Sequence, residues 1–161
     1  MKERKSGRAL STSIAIALII AWLVGMTSGS RANTLVLTPT VYEGVDCAHL
    51  ISIYRRAFSA TGFTFAGRSV KTVFDQTMTR IEFHFPVSEY RGKPPGAVSF
   101  VFISRLSAGR PINTCSVEAH GFGGDSESYS DEEWDLLIQR MQSAYQAAMS
   151  RVEAATGTRV K

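Results

Sequence analysis

Residues 112–120 read INTCSVEAH, and their alternation puts Cys115 on one strand face with Val117 and Ala119, and Glu118 with His120 on the other. The only other cysteine, Cys47, opens a segment behind Asp46 in which Leu50, Ile51, Tyr54 and Phe58 recur at helical spacing. A disulfide between Cys47 and Cys115 therefore lays that helix against the apolar face of the strand. Thr61-Gly62 ends the helix.

The neighbouring stretches read as further strands. Val70, Thr72 and Phe74 alternate with Ser69, Lys71 and Val73, and Asp75-Gln76 makes a turn. Ile81, Phe83, Phe85 and Val87 then alternate with Arg80, Glu82 and His84. SEYRGKPPG (88–96) is a loop, because Pro94-Pro95-Gly96 cannot continue a ladder. AVSFVFISRL (97–106) is apolar on both faces, as expected of a central or doubly covered strand. AGRP (108–111) turns the chain back, and TLVLT (34–38) has the composition of a fifth, edge strand.

Downstream, GFGGDSESY (121–129) reads as a loop. Ser130 and Glu133 form a capping box, with Asp131, Glu132 and Glu133 where the helix dipole favours acids. Trp134, Leu137, Ile138, Met141, Tyr145, Ala148 and Val152 make one apolar stripe, and Gly157 is the stop. This stripe needs the same sheet face as the first helix. The expected fold is a two-layer α+β domain: an antiparallel sheet of four strands, five with 34–38, and an N-terminal and a long C-terminal helix on one face, in the order α-β-β-β-β-α.

The chain has 161 residues, 44% hydrophobic and 20% charged, which excludes a disordered or collagen-like protein. Its net charge of +4 sits in the first 32 residues, where five bases meet one acid; the remainder holds thirteen of each. A neutral body lacks the basic surface that nucleic-acid binding requires. Residues 2–8 are basic, 13–26 are apolar, and TSGSRA (27–32) is small and polar, with Ser30 and Ala32 where a cleavage site needs them. That is the pattern of a secretory signal peptide over 1–32, leaving one exported domain over 33–161, in the periplasm or outside. An uncleaved leader would instead anchor the chain to the inner membrane, although the apolar run is short of the ~20 residues of a span. No stable membrane insertion is expected after cleavage. The two cysteines suit an oxidising compartment.

Candidate chemistry is sparse. Glu82-Phe83-His84 and Glu118-Ala119-His120 each place an acid and an imidazole on the outer face, types that ligate zinc. In a simple meander their strands flank the one bearing Val101 and Ile103, about 9.6 Å apart. Two His ligands bound at about 2 Å do not converge over that distance, so Glu82, His84, Glu118 and His120 form a metal site only if the strands are neighbours. No cofactor is expected. GFGGDS is followed by acids that repel phosphate, and Ser126 lies in no nucleophile motif. His49 falls in the first turn of helix one, where it caps or packs.

Charge is distributed unevenly in the body. Residues 33–110 carry nine bases and five acids, and 111–161 four bases and eight acids. Such polarity steers oriented docking to a protein. Arg80, His84, Val101 and Arg105 on the outer sheet face, with Tyr90 and Arg91 on the basic loop, are the expected contact residues, since Arg and Tyr are favoured anchors on rigid strands. The reading is an exported, non-catalytic protein-binding factor: an inhibitor or immunity protein, or an accessory subunit of an envelope assembly. The alternatives are a small-ligand or metal-binding module and a small envelope hydrolase. A homodimer through the sheet face, or cover of that face by the N-terminal segment, would use the same residues.

Overall fold

The computed structural model describes residues 39–107 and 110–159. The chain runs β1 (Thr40–Glu43), α1 (Cys47–Ser59), β2 (Thr64–Val73), β3 (Gln76–Phe85), β4 (Gly96–Ser107), β5 (Arg110–Gly123), a 3-10 turn (Ser126–Ser128) and α2 (Asp131–Thr156). The strands form one antiparallel sheet in the order β1-β5-β4-β3-β2. The α+β class and the two helices are as expected. So is the place of β4, whose two apolar faces belong to the middle strand of five.

Local chemistry explains each helix. Asp46 accepts the His49 backbone N–H at 2.8 Å and caps α1. Ser130 and Glu133 close the reciprocal capping box of α2, and Gly157 ends it with φ 70°. The predicted stripe of α2 is buried throughout, joined by Met149. Cys47 and Cys115 are bonded, with Cα atoms 5.1 Å apart. Because β1 and β2 lie at opposite edges, α1 carries the chain across the core face from one edge to the other. Phe58 of α1 sits at the centre, with ring centroids 4.8 Å from Phe83, 5.0 Å from Phe100 and 5.8 Å from Tyr145.

Several boundaries differ from expectation: β2 begins at Thr64 rather than Ser69, the turn after it is Phe74-Asp75 rather than Asp75-Gln76, and β5 begins at Arg110, inside the stretch read as a turn. The fifth strand is Thr40–Glu43, paired with β5, while the stretch 34–38 lies outside the described residues. β3 stops at Phe85 rather than Val87, because Pro86 has no N–H for the ladder. β5 continues through Gly121 to Gly123. Gly96, the first residue of β4, lies under α2: a Cβ there would stand 2.1 Å from the Met141 sulfur. Only glycine lets the helix approach the strand so closely.

Candidate interaction surface

Among the described residues, the helices cover one sheet face and nothing covers the other. Register fixes what the open face presents. On one rung Arg80 of β3, Val101 of β4 and Glu118 of β5 stand side by side. The next rung carries Lys71, Met78, Ile103, Ser116 and Val41 from β2 to β1. Arg105 stands opposite Gln76 beyond it. A groove of about 460 Å³ runs over this end, lined by Val41, Ile103, Arg105, Ile112 and Glu118 among others. Val41 and Ile112 are 52% and 40% exposed. The face is thus an apolar ridge along β4, with a base on one side and an acid on the other.

Four of the six expected contact residues, Arg80, His84, Val101 and Arg105, share this face. Tyr90 and Arg91 do not join them. Their loop is pinned to α2: Lys93 pairs with Glu133, Glu89 pairs with Arg140, and the Tyr129 hydroxyl donates to the Pro94 carbonyl. Tyr90 packs edge-on to Tyr129, 5.6 Å between centroids, and the Lys93 ammonium lies 5.1 Å from the Tyr129 ring. The Lys93 hydrogen bond is the main reason the Glu133 carboxyl is held below its ordinary range, and the Glu89 bond holds the Arg140 guanidinium up. Part of the charge polarity read from the sequence is therefore satisfied within the chain, as base-rich loop against acid-rich helix start.

The outer face of the β2–β3 pair holds a second open groove of about 480 Å³, lined by Gly67, Ser69, Arg80, Glu82 and His84 among others. His84 Nε2 lies 2.9 Å from Glu82 Oε1, an acid–imidazole pair of the kind hydrolases use. Ser69 pairs with Arg80, four residues along β3 from His84, or about 13 Å. That is far outside the hydrogen-bond reach a serine nucleophile needs. The strands that carry the zinc doublets are not neighbours either, since β4 lies between β3 and β5. Glu82 and His120 flank Ser99 of β4 from opposite sides, and His84 lies on the rung of Ala97 and Gly123. Among the described residues no three His, Cys, Asp or Glu side chains are gathered to hold a metal.

One exposed residue escaped the sequence pattern. Phe74 reads there as a strand residue, alternating with Val70 and Thr72. It is the first residue of the two-residue β2–β3 turn, between the paired Val73 and Gln76. Its φ is 54° and its side chain is 96% exposed. Glycine is the usual occupant where only the first turn residue has positive φ. A bulky side chain there costs roughly 1–2 kcal/mol, and this one buries nothing in return. The signal in the sequence was an aromatic directly before an Asp at a turn, where Gly or Asn is expected.

A comparison with protein families finds no family model matching this chain, and no curated protein matches it. Among the described residues no helix is long and apolar enough to cross a membrane.

Proposed function

We propose that this chain is an exported, non-catalytic protein-binding factor of the cell envelope, an inhibitor or immunity-type protein or an accessory subunit, and that its contact surface is the outer face of the sheet with the β2–β3 tip. The observation that carries the reading is Phe74. A side chain that strains its backbone and leaves its ring in water buries nothing in the fold, and a large exposed aromatic at a hairpin turn is what a binding anchor requires. The Cys47–Cys115 bond and the leader over 1–32 support export. The ridge of Val101 and Ile103 rimmed by Arg80, Arg105 and Glu118 supports docking on the open face.

The test is site-specific photo-crosslinking in cells, with the reactive group at position 74, at position 101, or at the exposed Gln146 of α2 as a control. A discrete adduct with one other protein is expected at 74, a discrete adduct at 101, and none at 146. Equal, diffuse labelling at all three positions would refute the surface. Recovery of the protein with Met1 intact on the membrane, instead of an N-terminus at Asn33, would refute the cleaved leader.

A further inference from the structure

We propose that the open sheet face also pairs with a second copy of this chain, in a two-fold dimer whose axis runs along β4. This rests on the reading that the face is a contact surface and names an occupant for it. A two-fold axis along the middle strand sets β4 on β4, β3 of one copy over β5 of its partner, and β5 over β3. Arg80 and Glu118 occupy one rung, on either side of Val101. Each is displaced by one strand spacing, about 4.8 Å, from the axis. The operation therefore brings Arg80 of each copy over Glu118 of the other, twice per dimer.

Along the axis, Val101 faces Val101 and Ile103 faces Ile103, which gives the interface an apolar centre inside a charged rim. Stacked sheets lie about 10 Å apart and are rotated by about 30°. At one strand spacing from the axis that rotation moves a residue about 2.5 Å, within the reach of an arginine. Like charges meet only at Arg105, which is exposed near the end of the face, where both guanidinium groups keep their water. The area is that of a weak, reversible pair: β2 to β5 over about ten residues cover roughly 14 by 34 Å and the four-residue β1 adds little, so about 550 Å² per partner is paired, below the ~800 Å² of a standard interface. The register is what makes the face self-complementary. A slip of β5 by one residue would turn Glu118 to the core and leave a basic face that repels its own copy.

The experiment is sedimentation equilibrium on the purified exported protein, with a charge-swap mixture. Wild type is expected at twice the monomer mass at tens of micromolar. Arg80→Glu alone and Glu118→Arg alone each place like charges at both contacts, and each is expected to weaken dimerisation about tenfold or more. Mixed together, the two variants set opposite charges at both contacts and should form a heterodimer. A merely structural effect of either substitution would not be cured by mixing. An unchanged far-ultraviolet circular dichroism spectrum with cooperative unfolding confirms that the variants fold, whatever the midpoint loses with the dimer. A monomeric wild type, or a mixture that stays monomeric, overturns the proposal. If the wild type is monomeric while position 101 still crosslinks to a different protein, the dimer falls and the protein-binding reading stands. If the dimer forms and neither position 74 nor 101 gives an adduct beyond the second copy, the reverse holds.

Discussion

At the scale of single residues, Phe74 and the Tyr42–Tyr54 pair make opposite predictions. Phe74→Gly removes backbone strain of about 1–2 kcal/mol and adds unfolded-chain entropy of about 0.5–1 kcal/mol. The net is a melting temperature raised by a few degrees, measured by calorimetry, together with loss of the crosslinked partner. A fall in melting temperature would show that the ring supports the fold. Tyr42 and Tyr54 are fully buried, with hydroxyls 3.0 Å apart. Tyr54→Phe strands the Tyr42 hydroxyl and should cost about 1–3 kcal/mol, while Tyr42→Phe with Tyr54→Phe should be close to neutral in denaturant titrations. Burial, the leading cause, pushes both phenols and that of Tyr145 above their ordinary value of 10.0. A raised folded value means stability complete below pH 10 and lost as pH rises above it. Phenolate absorbance from these three rings should therefore appear only with alkaline unfolding.

At the scale of elements, the start of α2 is a charge-sensitive clasp. Glu133 Oε2 accepts from Lys93 Nζ and, at 2.8 Å, from the Ser130 N–H, so one carboxylate holds both the helix cap and the loop 86–95. Its pKa lies below the ordinary 4.5, and a depressed carboxylate contributes stability present above 4.5 and lost as pH falls through the folded value. Wild type should therefore lose melting temperature between pH 5 and pH 3 more steeply than Glu133→Gln. Parallel curves would remove the clasp. Gly96→Ala forces a methyl into the Met141 side chain and should cost about 1–3 kcal/mol, and Met141→Ala in the same background should recover part of that loss. The helix itself was legible from its stripe and capping box, since both are local. The docking of the loop was not. Nothing in Glu89 or Lys93 announces that Arg140 and Glu133, 51 and 40 residues away, will stand opposite.

At the scale of the molecule, the Cys47–Cys115 bond closes a loop of 68 residues and in the chain-entropy model contributes about 4 kcal/mol. Reduction, or Cys47→Ser with Cys115→Ser, should lower stability by that order in urea titrations; no change would mean that α1 is held by its aromatic packing alone. That bond, the two-layer class and the side of the sheet on which the helices lie were all readable in the chain, because alternation and helical spacing are properties of neighbours in sequence. Cys115 shares parity with Val117, and Cys47 lies on the stripe of Leu50 and Phe58. Strand order, register and exposure are not local. Phe74 follows the alternation of a buried strand, yet it stands in water because β2 is an edge and the chain turns at that residue. Arg80 and Glu118 are 38 positions apart in the chain, and they flank Val101 only because β3 and β5 both hydrogen-bond to β4 in a particular register. Long-range pairing is chosen by the packing of the whole core, and with it the pattern of charge that the open face offers to a partner.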